Sequence, residues 1–310
     1  QQTPAMLFLS LAILAYVQGG PKGARWPDVL CGLALGLAMS TRMSCLGLPL
    51  AILGYELLFR RNTRRVLRIG LAIAPPLLLL LAYNAAVFGS PFTFGQTVRG
   101  ASEALRKTGS PQLWQTPFLT GATGLLVSPA RGLFVYTPLF LFSLFGAYRV
   151  FTRREYEPLR PVVAASAVQF VLAAKWFDWW GGWTYGCRPL ADSTPLFVLP
   201  LVAVLPRIAA SRRLTAIFVA LGALSVSAHA IGAFGEDDGS WNAPTYARAR
   251  PDERIPFGSA VGSPRELFQK NVDLREYRGR LWSWSDSPIV FYVAHAGEAR
   301  RCRRWLSAQP

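Results

Sequence analysis

Long apolar runs, separated by short polar segments, occupy the first 234 residues of the chain. A helix needs about 20 mostly apolar residues to cross a bilayer, and fewer where its ends lie among protein. The runs predict spans at 3–18, 27–41, 43–59, 66–88, 132–150, 160–176, 189–206 and 214–234. Only Thr41 and Arg42 separate the second run from the third, so these two are either tightly turned spans or one broken helix. The pattern predicts an all-α polytopic membrane protein with seven or eight transmembrane helices.

Arginine clusters between the runs indicate which loops face the cytoplasm, because cytoplasmic loops retain arginine and lysine. The clusters are Arg60, Arg61, Arg64, Arg65 and Arg68, then Arg149, Arg153, Arg154 and Arg160, then Arg207, Arg212 and Arg213. Successive clusters lie two spans apart, as an alternating path requires. The segments predicted on the outer side are 89–131, 177–188, the Thr41-Arg42 turn and the residues after Phe234. Lys22 and Arg25 then fall on the cytoplasmic side, which favours eight spans.

The fourth run and the C-terminal tail carry further signals. Pro75-Pro76 predicts a kink in the span 66–88, which a transmembrane helix tolerates when neighbours satisfy the freed carbonyls. The tail, 235–310, is rich in charged residues, Gly and Pro, and predicts either a small extracytoplasmic appendage to a transmembrane domain at 1–234 or a partly ordered segment. Within the tail, the apolar run Pro288 to Ala294 is β-like.

Composition favours the membrane class over soluble and nucleic-acid-binding proteins. With 52% hydrophobic and only 16% charged residues, the chain has too little polar surface for a soluble globule of 310 residues. The net charge of +16 lies in short clusters between apolar runs, which indicates topology and no nucleic-acid partner. Four scattered cysteines without a Cys-x-x-Cys spacing predict neither a zinc site nor a disulfide framework. Because the chain begins at Gln1 and its first run lacks the flanks of a signal peptide, we expect an N-terminally incomplete sequence.

The segment from Lys175 to Asp192 concentrates aromatic residues, glycines and both signs of charge on the predicted outer side. Ionised groups at this depth are costly unless they are paired or face a polar cavity, so the segment predicts a ligand site. The predicted substrate-pocket residues are Lys175, Trp179, Trp180, Trp183, Tyr185 and Asp192. Two structural alternatives stay open, because the tryptophans can form an interfacial belt and the charged residues can pair with one another.

Three arginines on the predicted outer side present planar forks of donors suited to a phosphate. They are Arg42, Arg131 and Arg188. For Arg42 and Arg131 a snorkelling or lipid-headgroup role fits equally well. Together with Lys175, the arginines predict an anion-attracting surface for a phospholipid-like substrate.

No metal or cofactor site is assigned from the residues. Glu236, Asp237 and Asp238 are adjacent acids on a glycine-flanked loop, which is typical of a solvated surface and not of a metal site. His229 and His295 lack partners at metal-ligand spacing. The absence of a P-loop, GxSxG, HExxH or Rossmann fingerprint argues against soluble-type nucleotide chemistry. Dependence on a divalent metal stays open.

Five short motifs follow one another along the chain. They are YNAAVFGSPFTFG (Tyr83 to Gly95), GLLVSPARGLFVYTPL (Gly124 to Leu139), WFDWWGGWTYGCRPLADSTP (Trp176 to Pro195), Trp241-Asn242 and LWSWSD (Leu281 to Asp286). Their combination resembles the bacterial class-C glycosyltransferases described as dolichyl-phosphate-mannose mannosyltransferase-like or RgtA/B/C/D-like. The resemblance spans most of the chain and rests on motifs of moderate specificity.

The resemblance implies a multi-span enzyme of the bacterial inner membrane. Such an enzyme moves a sugar from a polyprenyl-phosphate donor to a glycan, lipid or protein acceptor of the cell envelope. In the family an acid in the first extracytoplasmic loop is the catalytic base, and cations stabilise the departing phosphate, a role that suits Arg42, Arg131 and Arg188. The early outer loop of this chain, 41–44, departs from the family because it holds no acid. Asp178 is then the candidate catalytic residue, with acceptor binding or arginine pairing as its alternative roles.

Two other classes of protein stay open. One is a transporter or flippase of lipid-linked saccharides, although such proteins commonly carry charged or broken helices at mid-membrane, whereas the charges here lie at the outer boundary. The other is a non-catalytic membrane scaffold, which the missing acid favours.

Overall fold

The structure is a computed structural model that describes residues 2–20, 25–108, 110–182, 184–235, 278–285 and 287–294. Within these ranges the regular elements are helical and no strand occurs, which confirms the all-α fold class. The α-helices are α1 (Gln2–Gly19), α2 (Arg25–Thr41), α3 (Gly47–Leu58), α4 (Thr63–Phe88), α5 (Gly95–Thr108), α6 (Phe118–Val127), α7 (Leu133–Tyr136), α8 (Leu141–Thr152), α9 (Arg160–Lys175), α10 (Arg188–Ala191), α11 (Thr194–Val198), α12 (Leu205–Ala209), α13 (Arg212–Gly235) and α14 (Pro288–Ala294). Short 3₁₀ segments span Met43–Leu46, Pro138–Phe140, Arg154–Leu159, Leu199–Ala203 and Arg278–Trp282.

Among the described residues, two helices are long and apolar enough to cross a membrane, namely α4 and residues Arg212–Phe234 of α13. Few of their apolar side chains are buried within the molecule, and Leu79 of α4 is 73% exposed. A core helix of a soluble protein buries its apolar stripe, so this exposure is typical of helices that contact lipid. The other apolar runs form shorter or interrupted helices.

Prolines explain the interruptions. The predicted span 132–150 breaks at Thr137, whose backbone is non-helical because Pro138 follows it. The predicted span 189–206 carries four prolines and forms α10, α11, a 3₁₀ segment and α12. By contrast, α4 runs through Pro75-Pro76 without a break and ends at Gly89, which has the left-handed φ of 73°.

The β-like prediction for Pro288 to Ala294 is wrong, because this run forms α14. Ser287 begins the helix, accepting a hydrogen bond from Phe291 N at its carbonyl oxygen (2.9 Å) and one from Val290 N at its hydroxyl (3.4 Å). Pro288 then takes the first helical position, where a missing N–H costs nothing. A seven-residue apolar run fits a strand or a helix equally well, and these capping residues decide for the helix.

The chain divides into two compact units, each assembled from separate stretches. The first unit comprises Gln1–Ala122, Phe140–Trp179 and Pro189–Phe218, and the second comprises Thr123–Leu139, Trp180–Arg188 and Val219–Pro310. The predicted domain boundary at residue 234 stays a prediction, because most of the tail lies outside the described residues.

In the first unit, α2 packs between α1 and α4, and glycines allow its backbone to touch α4. A Cβ at Gly36 would lie 2.8 Å from the Ile73 carbonyl oxygen, and one at Gly32 would overlap the Ile69 carbonyl oxygen. Small residues four apart on one helix face permit this close packing, which is common between transmembrane helices. A Cβ at Gly121 of α6 would likewise overlap the backbone of α9.

Candidate functional site

In the first unit, the loop that follows α5 is fastened to the end of α9. Thr116 N donates a hydrogen bond to Lys175 O (3.2 Å), and Thr116 Oγ1 donates one to Trp176 O (2.7 Å). Phe177 N donates to Leu113 O (2.8 Å). These three bonds join two segments that the sequence predicts on the same, outer side of a membrane.

The segment 175–179 lies at this junction. Lys175 ends α9, is half-buried, and makes no ion pair with any other residue that the structure describes. The ring of Trp176 meets the half-exposed ring of Trp114 edge to face, with the centroids 5.5 Å apart. Asp178 and Trp179 are buried. The structure thus gathers an ammonium group, indole rings and a carboxylate within five residues of chain.

Arg42 and Asp192, both candidates from the sequence, form an ion pair. Asp192 is almost fully buried and Arg42 is about a quarter exposed. Arg42 follows α2 with an extended backbone, which turns the chain into the Met43–Leu46 segment. Asp192 thus pairs with an arginine outside the Lys175–Asp192 segment, and pairing among the charged residues of that segment stays an open alternative. A phosphate at Arg42 would have to share the guanidinium with this carboxylate, so phosphate binding by Arg42 stays a prediction.

Arg131 lies in the second unit, fully buried, with its guanidinium directed at backbone carbonyls. Nε donates to Trp180 O (2.9 Å), Nη1 to Ala130 O (3.0 Å) and Nη2 to Gly182 O (3.2 Å). This enclosed position is unlike that of a snorkelling arginine, whose charged head reaches water or headgroups. Arg131 thus holds the backbone from Trp180 to Gly182 in place. Phosphate binding by Arg131 stays a prediction.

Tyr185 is also part of the second unit, where three neighbours hold its ring. Its hydroxyl donates to Ala228 O (2.7 Å). The ring lies edge-on to Tyr136, with centroids 5.0 Å apart, and 5.9 Å from Tyr292. A Cβ at Gly232 of α13 would overlap the Tyr185 ring, so a glycine is needed there.

Arg188 begins α10 and has an exposed side chain that makes no ion pair or hydrogen bond with another described residue. Trp180 is buried in the same unit, and Trp183 lies outside the described residues. Of the three arginines predicted to bind phosphate, Arg188 therefore has the guanidinium least committed to the protein within the described ranges.

Sequence reasoning missed a buried ion-pair network near the start of α2, at the opposite end of that helix from Arg42. Arg65 is 1% exposed, and its Nε donates to Asp28 Oδ1 (2.8 Å), while Nη1 donates to Glu56 Oε1 (2.9 Å) and Nη2 to Tyr16 O (2.6 Å). Asp28 and Glu56 are equally buried. A signal was present in the sequence, because acids within apolar runs require a buried partner.

Arg60 extends the network to the loop between α8 and α9. Its Nη1 donates to Glu56 Oε1 (2.9 Å), and its Nε and Nη2 grip Glu157 through two bonds of 2.8 Å and 2.7 Å. The Arg60 guanidinium, with a smaller contribution from Tyr55, holds the pKa of Glu157 at about 2. The bidentate pair thus joins two arginine-rich loops that the sequence predicts on the cytoplasmic side.

Within the described ranges, no group of three or more His, Cys, Asp or Glu side chains is placed to hold a metal ion. His229 Nε2 lies 3.0 Å from Thr137 Oγ1. The acids at 236–238 and His295 fall outside the described residues.

In the part of the chain that the structure describes, the fold is helical, two helices are long and apolar enough to span a bilayer, and charged and aromatic side chains lie at helix ends. No protein family, curated protein or solved structure that was compared matches the chain. The resemblance to glycosyltransferases therefore stays a prediction from sequence motifs.

Proposed function

We propose that this protein is a membrane glycosyltransferase of the bacterial inner membrane that moves a sugar from a polyprenyl-phosphate donor to a periplasmic or cell-envelope acceptor. The observation that carries the proposal is segment 175–179, where a lysine without an ion-pair partner among the described residues adjoins indole rings and a buried carboxylate. A lipid-phosphate sugar offers the matching chemistry. Its phosphate needs a cation, its ring stacks on aromatic faces, and its transfer needs a base.

An eight-span topology underlies the proposal. The predicted runs correspond to α1, α2, the segment Met43–Leu58, α4, the segment from α7 to α8, α9, the segment from α10 to α12, and α13. Two ion pairs support the predicted sidedness. Arg60 with Glu157 joins loops predicted as cytoplasmic, and Arg42 with Asp192 joins residues predicted as periplasmic. In this topology the tail after α13 is periplasmic.

In the proposed reaction, Asp178 accepts the proton of the acceptor hydroxyl as that oxygen attacks the anomeric carbon. The bond from this carbon to the lipid phosphate breaks, and the configuration inverts. Cations stabilise the charge that develops on the departing phosphate. The sequence predicts Arg188 for this role, and its exposed side chain has no ion-pair or hydrogen-bond partner among the described residues. Within the second unit, Arg131 fixes the backbone from Trp180 to Gly182.

A transfer assay in proteoliposomes tests the proposal. Radiolabelled polyprenyl-phosphate sugars are supplied with membrane extract as acceptor, and Arg188→Ala is compared with Arg153→Ala. Arg153 is a matched control, since it is an exposed arginine at the end of α8, on the side predicted as cytoplasmic. We expect Arg188→Ala to lower transfer about a hundredfold and Arg153→Ala to leave it unchanged. Wild-type transfer by Arg188→Ala, or no transfer from any donor, contradicts the proposal.

A flippase for lipid-linked saccharides is the second candidate, favoured by the buried network of Asp28, Glu56 and Arg65. Ionised groups within membrane helices commonly mark transport pathways. These groups pair with each other, however, which is also what a purely structural cross-link requires. Movement of a fluorescent lipid-linked saccharide between leaflets, without transfer of its sugar, would favour the flippase.

A further inference from the structure

Helix α5 is an amphipathic helix in the loop after α4, and neither the motifs nor the proposed reaction gives it a role. Gly100 and Ala104 lie on its buried side. Val98 and Leu105, seven residues apart and therefore on one face, are 50% and 53% exposed. Val98 and Leu105 are therefore apolar side chains that packing against the protein does not cover. A helix that merely connects two spans through water has no need of these exposed apolar side chains.

Two close contacts fix the direction of α5. A Cβ at Gly95, where the helix begins, would lie 3.1 Å from Cζ of Phe88, the last residue of α4. A Cβ at Gly100 would lie 3.5 Å from the indole of Trp176, the residue that follows α9. The helix therefore crosses from the end of one apolar helix to the end of another. The sequence predicts both of these helix ends on the outer side of the membrane, so the part of α5 from Gly95 to Gly100 lies beside that predicted boundary.

Exposed aromatic residues flank both ends of α5. Tyr83 and Phe88 in the last turns of α4, Phe92 in the turn before α5, and Trp114 after it are all exposed. Tryptophan and tyrosine gather at the boundary between acyl chains and headgroups because their rings are apolar with a polar edge, and exposed phenylalanine rings add apolar surface that lipid can cover. Helix α5 thus begins beside α4, whose apolar side chains are largely exposed, and carries exposed apolar side chains of its own.

We infer that α5 is an interfacial helix that lies on the outer leaflet, with Val98 and Leu105 inserted at the boundary between headgroups and acyl chains. Arg99, exposed on the neighbouring face, then lies among the phosphates of the headgroups. The partner of this surface is the lipid itself. The inference rests on the membrane placement within the proposed function and is independent of sugar transfer.

Spin labelling tests this placement. In a chain whose native cysteines Cys31, Cys45, Cys187 and Cys302 are replaced by alanine, a nitroxide is attached to Val98→Cys or Leu105→Cys, and the protein is reconstituted in proteoliposomes. Collision rates are measured with oxygen, which concentrates in lipid, and with a nickel chelate, which stays in water. We expect the ratio of oxygen to nickel collisions at both positions to exceed severalfold the ratio at Arg99→Cys on the adjacent face. Equal ratios at the three positions overturn the inference.

A label at Leu79→Cys, on the exposed face of α4, separates two kinds of failure. If Leu79 collides with oxygen but Val98 and Leu105 collide with nickel, α5 lies in water and the inference fails while the membrane placement stands. If Leu79 also collides with nickel, the membrane placement fails and the inference fails with it.

Discussion

Arg65 and Arg131 are both fully buried. Arg65 faces the carboxylates of Asp28 and Glu56, whereas the three hydrogen bonds described for Arg131 run to backbone carbonyls. A buried cation that loses a charged partner becomes an uncompensated charge, which is far costlier than a lost neutral hydrogen bond. The stability of the first unit should therefore depend strongly on the two acids beside Arg65.

We expect Asp28→Asn to destabilise the protein by about 3–5 kcal/mol, because the amide keeps the shape of the side chain but removes the charge that Arg65 requires. The matched control is Glu155→Gln, which removes an exposed acid 3.8 Å from Arg149. Pairs of this exposed kind contribute about 0–1 kcal/mol, so the control should unfold almost as the wild type does. Thermal unfolding in detergent measures both, and equal midpoints for the two variants would contradict a structural role for the network.

Glu157 makes stability depend on pH on the acid side. Its pKa is about 2 in the folded protein, below the ordinary value of 4.5, because Arg60 donates to the ionised form. A lowered pKa stabilises the fold above the unfolded value, and this contribution is lost as pH falls from about 4.5 to about 2. Glu157→Gln should therefore be less stable than the wild type near neutral pH and approach it below about pH 2. Unfolding midpoints measured across this window test the prediction, and a constant difference at all pH values opposes it.

The sequence located the charged residues better than it located their partners. Lys175, Asp178 and Arg188 stand out because ionised groups cluster beside aromatic residues in one short segment. The Arg65 network was missed because its members are separated by 9 and 37 residues and meet only through the packing of α2, α3 and α4. Burial of Arg131 was equally invisible, since backbone carbonyls leave no signature in the sequence.

At the scale of elements, glycines set the distance between helices. Gly32→Ala should destabilise the protein by about 1–3 kcal/mol, because the added methyl meets the Ile69 carbonyl oxygen and pushes α2 from α4. Gly70→Ala in α4 is the control, since a Cβ there would have no atom within 4 Å. The control should be neutral, or more stable by up to about 1 kcal/mol, because alanine favours helix. Thermal midpoints in the same detergent compare them, and equal effects would exclude close packing at Gly32.

The helices were partly predictable from the apolar runs, for a physical reason. Runs of apolar residues long enough to span a bilayer predict a helix, as in α13 and in α4, which continues through Pro75-Pro76. Where prolines recur, as in 189–206, the same composition forms a chain of short helices. Neither α5 nor α6 was predicted, because both begin in glycine- and threonine-rich sequence that is typical of loops. The capping of α14 by Ser287 was overlooked in favour of its apolar pattern.

At the scale of the whole molecule, a large exposed apolar surface is unfavourable in water and is stabilised by contact with lipid. The outward faces of α4 and α13 carry leucines, isoleucine and valines that few protein contacts cover. We expect Leu79→Arg to reduce integration into membranes, since an arginine at the centre of a span costs about 2.5–3.5 kcal/mol on insertion scales. Leu79→Ile is the matched control. Resistance to alkaline extraction measures integration, and full extraction of the wild type would oppose a membrane-spanning α4.

The three hydrogen bonds between the 113–116 loop and the end of α9 give α5 a mechanical connection to Lys175. A helix that floats at the lipid surface rises or sinks with the thickness of the bilayer. Because Gly100 packs against Trp176, a movement of α5 would also move the aromatic segment of the candidate site. The position of the aromatic segment would then depend on bilayer thickness, and the rate of the proposed sugar transfer would differ between thin and thick bilayers.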